Sequence, residues 1–200
     1  MELKVVTPPV AEPVTLAEAK LHLRVDHSDE DAYITALITA SREWCESYLS
    51  GSICQQTKAL IMSYFPYYHR LPGGPVQSVS SVVYMDENGD AQIVDADTYR
   101  LTGDGYLSLE WGQSWPTGYA CDVTITYVAG YPPEVTTELV EEEGEDPVEV
   151  ETTDYAANVP ASIKQAILLL AGALYENREM EGASPPGVRE LLRPYREISL

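Results

Sequence analysis

VPASIKQAILLLAGALYENREM, residues 159–180, is the most apolar run of the chain and sets what the other elements must pack against. Pro160 suits the first turn of a helix, where a missing N–H costs nothing because that donor has no intrahelical acceptor. Ile163, Ala166, Ile167, Leu170, Leu174 and Tyr175 then recur at three- and four-residue spacing, and Leu168 and Leu169 widen the stripe. So much apolar surface predicts a helix buried against several partners. The run is too short, and its end too charged (Glu176, Arg178, Glu179, Glu181), to cross a bilayer. The chain before it must supply the surface it packs on.

That surface begins as helix. Thr15-Leu16-Ala17-Glu18 is a capping-box pattern, which predicts a short helix over 16–23 after an extended, proline-bearing arm. Ser28 reads as the N-cap of a second helix with Asp29, Glu30 and Asp31 in its first turn. Ile34, Leu37, Ile38, Ser41, Cys45, Tyr48 and Leu49 form its face, and Gly51 is its expected stop.

From residue 53 the period becomes alternating. Residues 55–65, 79–85, 91–94, 98–101, 106–109 and 122–128 read as strands, with a type I′ hairpin predicted at Asn88-Gly89 and a second turn at Gly103-Asp104-Gly105. The expected class is α+β: a helical-bundle core, made of the N-terminal helices and the long C-terminal helix, with an inserted antiparallel β unit. The single domain then divides into a helical part at 14–51, the β unit at 53–131, an acidic loop at 132–158, the core helix at 159–181 and a tail at 182–200.

Residues 134–154 contain ten carboxylates and no Lys or Arg. That composition predicts a solvated loop, with a hairpin of 136–140 and 148–152 around Gly144 as the alternative. The tail is the one locally basic part, with Arg189, Arg193 and Arg196 beside Leu191, Leu192, Tyr195, Ile198 and Leu200. It reads as a docking segment or as an ordinary terminus.

The 200 residues are 44% hydrophobic, enough for a core, and carry a formal charge of −20. A specific nucleic-acid binder needs a basic footprint that releases counterions from phosphate, and an anionic membrane would repel this chain equally. Cys45, Cys54 and Cys121 lack a CxxC pair and are expected as free thiols of a chain made in a reducing cytoplasm. No signal peptide is read in residues 1–13.

Enzyme signatures are missing from the sequence. His22, His27 and His69 lack ligand spacing for zinc. Asp86, Asn88, Asp90 and Asp97 imitate part of a calcium loop, but Gly89 is misplaced for one. No nucleophile elbow, P-loop or dinucleotide fingerprint occurs, and no carboxylate pair stands out. Neither a metal nor a cofactor is expected. Tyr64, Phe65, Tyr67 and Tyr68 with Trp111, Trp115 and Tyr119 could serve as a sugar platform, and aromatics serve protein interfaces as well.

The pieces nevertheless stand in a familiar order. PVTLAEAK at 13–20 with Leu23-Arg24-Val25, then 29–37, Leu71-Pro72, PVQSV at 75–79, Tyr84-Met85-Asp86, DTYRL at 97–101 and VTITYVAGY at 123–131 follow one another. Val159-Pro160, IKQAI at 163–167, YENRE at 175–179, Leu191-Leu192 and Pro194-Tyr195-Arg196 complete the series. In this the chain resembles the head–tail connector (adaptor) proteins of tailed phages and prophages, over nearly its whole length. The acidic segment 134–154 departs from that pattern.

The resemblance implies a structural role in the virion, at the head–tail junction, for a protein made in the bacterial host cytoplasm. It implies a homo-oligomeric ring of twelve subunits under the portal protein, extending the channel through which DNA passes without specific binding. Tail-completion or stopper proteins would dock on the ring. The tail residues Arg189, Leu191, Leu192, Arg193, Tyr195 and Arg196 are then expected to dock on the portal. Glu141, Glu142, Glu143, Glu145 and Asp146 are expected to face the channel, where they would repel phosphate. The competing readings are a virion-associated carbohydrate-binding module and a glycoside hydrolase.

Overall fold

The computed structural model describes residues 1–65, 68–116, 121–140, 148–177 and 185–196, with the side chains of 138–140 and 148–150 excepted. It is a mixed fold of α-helices and antiparallel sheets. The chain forms two compact units, one of residues 1–10, 46–130 and 196–200, the other of 11–45 and 131–195.

The first unit is built on strands. β1 (Glu2–Thr7), β2 (Gln56–Met62), β4 (Val76–Met85), β5 (Ala91–Ile93) and β8 (Cys121–Ala129) make a five-stranded sheet in the order β1-β2-β8-β4-β5. β3 (Tyr68–Arg70), β6 (Tyr99–Leu101) and β7 (Tyr106–Leu109) make a three-stranded sheet in the order β3-β7-β6. All pairings are antiparallel. β8 is central because its alternation is the cleanest: Val123, Ile125, Tyr127 and Ala129 are buried while Asp122, Thr124 and Thr126 are not. These side chains join Leu60 and Val82 of the same sheet, and Val94 just past β5, to Leu107 of the other sheet and Leu71 beside it, giving one core. Tyr127 spends its polar end well, its hydroxyl donating to the Pro72 carbonyl at 2.7 Å.

The structure adds two strands to the sequence reading. The N-terminal arm pairs with β2 as an edge strand, and the aromatic stretch before Leu71 contains β3. The turn after β4 also differs from the expected type I′. Gly89 N–H donates to Asp86 C=O at 3.1 Å, and neither Glu87 nor Asn88 has a positive φ, as type I′ requires. Gly89 alone takes it, at φ 82°.

In the second unit, α1 (Leu16–Leu23) opens on the capping box that Thr15 and Glu18 predict, Thr15 Oγ1 accepting from Glu18 N–H at 3.2 Å and Glu18 Oε2 accepting from Thr15 N–H at 2.7 Å. α2 (Asp31–Leu49) starts later than Ser28, whose carbonyl instead accepts from Asp31 N–H in a preceding turn. It belongs to this unit as far as Cys45. At its far end Ser50, not Gly51, adopts the left-handed cap, at φ 55°. Gly51 answers a different need: a Cβ there would stand 2.7 Å from the Gly74 carbonyl oxygen.

α3 (Ala161–Glu176) is shorter than 159–181, with Pro160 as its N-cap rather than inside the first turn. Ile163, Ala166, Ile167, Leu170 and Ala171 are buried, and Leu168, Leu169, Leu174 and Tyr175 are half-buried. α1 and α4 (Pro186–Leu192) lie against it. The Tyr175 hydroxyl donates to the Glu30 carboxylate, and its ring lies 6.1 Å from that of Tyr33.

The acidic segment is not a loop over its described residues. β9 (Glu134–Val140) and β10 (Val148–Asp154) pair antiparallel in unbroken register, from Val148 opposite Val140 to Asp154 opposite Glu134. The strand pairing of the hairpin reading is present, and its expected turn at Gly144 lies outside the described residues.

Candidate assembly surfaces

The C-terminal segment is amphipathic. Val188 and Leu192, four residues apart, are fully buried, so α4 is fastened to its unit by those two side chains. Of the six tail residues expected to dock, Leu192 is therefore consumed by the fold. Leu191 is half-buried, and Arg189, Arg193, Tyr195 and Arg196 are exposed. Arg196 belongs to the first unit, where its guanidinium lies 5.2 Å from the Tyr48 ring centroid. Arg193 Nη1 is 3.9 Å from Glu190, an exposed pair of small energetic weight.

The β9–β10 ribbon is exposed wherever its side chains are described, at 134–137 and 151–154. Glu141, Glu142, Glu143, Glu145 and Asp146, expected to face a channel, lie outside the described residues. A second bare element is β1, whose six residues are all exposed, including Leu3, Val5 and Val6. Its exposure escaped the sequence reading because Val5 and Val6 are adjacent, which breaks any alternation.

Among the described residues the aromatic side chains do not assemble into one platform. Trp115 stacks on Phe65 at 4.9 Å and 8° and also meets Tyr99, so it caps the β core. Tyr68 stacks separately on Tyr106 at 4.4 Å. Trp111 is 96% exposed. Tyr67 and Tyr119 lie outside the described residues.

The calcium-like run is a turn that uses its own carboxylate. Asp86 Oδ1 accepts from Asn88 N–H at 2.9 Å and Asp90 N–H at 3.0 Å, and Oδ2 accepts from the Gln92 amide at 2.9 Å. The Asp90 and Gln92 bonds hold its pKa below the usual carboxylate range. Among the described residues no group of three or more His, Cys, Asp or Glu is placed to hold a metal ion. Burial lowers the His69 pKa. Cys45 and Cys54 are buried free thiols, and Cys121 is a half-buried one. No helix among the described residues is long and apolar enough to cross a membrane.

The fold has relatives among solved structures. A chain in a structure described as "Neck of empty GTA particle computed with C6 symmetry" aligns with a TM-score of 0.76 and 23% identity, covering 100% of this chain and 97% of that one. Chains from "Virion of native gene transfer agent (GTA) particle" and "Neck of native GTA particle computed with C12 symmetry" align at 0.76 and 0.74, with the same identity and coverage. No curated protein matches the sequence. The resemblance read from the sequence holds: over residues 13–93 this chain matches the family of Phage gp6-like head-tail connector proteins.

Proposed function

We propose that this protein is a structural, non-enzymatic head–tail connector of a phage or phage-like particle. Copies close into a ring beneath the portal, twelve to match it, extend the DNA channel and present a platform to tail-completion or stopper proteins. The observation that carries this is the connector-family match over 13–93 on a fold shared end to end with chains of particle necks. A closed ring needs a head-to-tail contact between two different patches of each copy. The helices of the second unit would be the bundle that forms the subunit body. Arg189, Leu191, Arg193, Tyr195 and Arg196, the five expected tail residues that the fold does not bury, would dock on the portal. A net charge of −20 per copy suits a channel that must not hold phosphate, with Glu141, Glu142, Glu143, Glu145 and Asp146 as channel-facing groups.

The test is mass measurement and negative-stain imaging of the purified chain over a concentration series, alone and with the portal protein of its particle. Closed rings with a central hole, free or on the portal, are expected. A chain that forms neither a ring nor a portal complex refutes the proposal.

A further inference from the structure

Of Asn88, Asn158 and Asn177, only Asn88 precedes a glycine. Asn158 donates its side-chain amide to the Pro132 carbonyl at 3.0 Å and is followed by β-branched Val159, and Asn177 is followed by Arg178. Asn88 stands exposed in the turn between β4 and β5, and among the described residues its side-chain amide has no hydrogen-bond partner. Gly89 has no side chain to shield its nitrogen, and nothing lies within 4 Å of where a Cβ would stand. What restrains the pair is Asp86. Its carbonyl accepts from Gly89 N–H at 3.1 Å, and its carboxylate accepts from Asn88 N–H at 2.9 Å and Asp90 N–H at 3.0 Å.

We infer that Asn88 is a site of spontaneous deamidation and that the Asp86 carboxylate is the positioning group that slows it. The reaction begins when Gly89 N loses its proton to hydroxide and attacks Asn88 Cγ. A C–N bond forms, the Cγ–Nδ2 bond breaks, and the side-chain nitrogen leaves as ammonia, giving a succinimide. Water then opens the ring at either carbonyl, leaving an aspartate or an isoaspartate. To reach Cγ, Gly89 N must first give up the Asp86 carbonyl, so the rate follows local opening of the turn. The Asp86 carboxylate opposes that opening by holding the N–H groups on either side of Gly89. Its negative charge also disfavours an anion on the Gly89 nitrogen. The product matters to the sheet. A new carboxylate joins Asp86, Glu87 and Asp90 in one turn, where like charges repel. An isoaspartate also adds a carbon to the chain between β4 and β5, whose register, from Met85 opposite Ala91 to Val83 opposite Ile93, is fixed by the length of that turn. β5 is exposed throughout and, among the described residues, pairs with β4 alone, so deamidation loosens an edge strand. Neither step depends on the ring reading.

The experiment incubates the full chain at mildly alkaline pH beside a free peptide of residues 84–93. Peptide mapping by mass spectrometry follows conversion of amide to acid, and enzymatic methylation of isoaspartate identifies the isomer. Asn88 should convert, more slowly than in the free peptide, while Asn158 and Asn177 remain intact. Asn88→Gln should abolish the conversion at this position, because its longer side chain does not close the same ring. Asp86→Ala should speed conversion about fivefold, the effect of releasing hydrogen bonds of ordinary net strength. Asp86→Asn, which keeps an acceptor oxygen but not the charge, should fall between wild type and Asp86→Ala, and circular dichroism melting checks that each variant is folded. Asp86→Asn alone decides the point if Asp86→Ala does not fold. A chain still unchanged when the free peptide has fully converted overturns the site. Conversion at the wild-type rate in the folded Asp86 variants overturns the role of the carboxylate.

Discussion

Arg42 and Glu12 form an ion pair in which the cation is almost completely enclosed. Arg42 Nε donates to Glu12 Oε2 at 2.8 Å, and the Thr39 hydroxyl donates to the other oxygen at 2.9 Å. The Arg42 side chain is 8% exposed and that of Glu12 26%. The pair fastens the arm that precedes α1 to the middle of α2. Removing Glu12 takes the closest carboxylate from a guanidinium almost out of water's reach and leaves it the longer contact of Nη2 with exposed Glu43 at 3.7 Å, which is costlier than never having had the pair. Glu12→Ala is expected to lower stability by about 3 kcal/mol, and Glu12→Ala with Arg42→Met by much less. Urea denaturation of the two variants measures the difference, and equal losses would show that the arm is held by something else.

The capping box makes a prediction about acid. The backbone hydrogen bond from Thr15 holds the Glu18 pKa down, helped by the Thr15 side chain and opposed by burial. A carboxylate depressed on folding contributes stability that is present above its unfolded pKa and is lost as pH falls through the folded value. Stability should therefore decline as pH falls below about 4.5, the ordinary value for a glutamate. Thr15→Ala should cost about 1 kcal/mol at neutral pH and make the acid limb shallower. Melting temperature against pH for both proteins reads this directly. An unchanged acid limb would mean that other carboxylates set it.

How legible these features were depends on how locally they are determined. The Thr15–Glu18 reciprocity lies within four residues, and the bounds of α1 follow from it as the sequence indicates. The alternation in β8 was equally plain, because both its neighbours bury the same face. Other features depend on partners far along the chain. Nothing near Val5 and Val6 says that β2 will accept them as an edge strand, and nothing near Gly51 says that the Gly74 carbonyl will press on it. The acidic ribbon was obscured for a further reason. Its charge argues for solvent, which its exposed faces do meet, while the Val and Thr residues still satisfy strand pairing. Of the expected docking residues, the burial of Leu192 could have been read from its i, i+4 spacing to Val188.

Gly130 and Gly89 separate backbone conformation from crowding. Both have positive φ, 108° and 82°. A Cβ at Gly130 would lie 2.1 Å from the Cys54 carbonyl oxygen, whereas nothing stands within 4 Å at Gly89. Gly89→Ala should cost about 1 kcal/mol, the price of a left-handed L-residue. Gly130→Ala adds a backbone collision at the end of β8, beside the Gly130 N–H bond to the Pro75 carbonyl, and should cost about 3 kcal/mol or prevent folding. Thermal melts of the pair would refute this reasoning if the two losses were equal.

Trp115 and Trp111 test whether the aromatic residues work for the fold or for a ligand. Trp115 lies flat on Phe65, and Phe65 in turn meets Tyr84 edge-on at 5.4 Å. Truncating Trp115 removes one layer of that stack from the rim of the β core. Trp115→Ala should lower stability by about 2 kcal/mol, less than full core truncation because the indole is only half-buried. Trp111 is 96% exposed, so Trp111→Ala should leave stability within about 0.5 kcal/mol of wild type. A sugar platform would need both indoles presented together and would lose glycan binding with either substitution. The stacking instead predicts that a glycan array gives no signal for the wild type, and that Trp111→Ala acts, if anywhere, on ring assembly. Glycan binding abolished by Trp111→Ala would restore the carbohydrate reading.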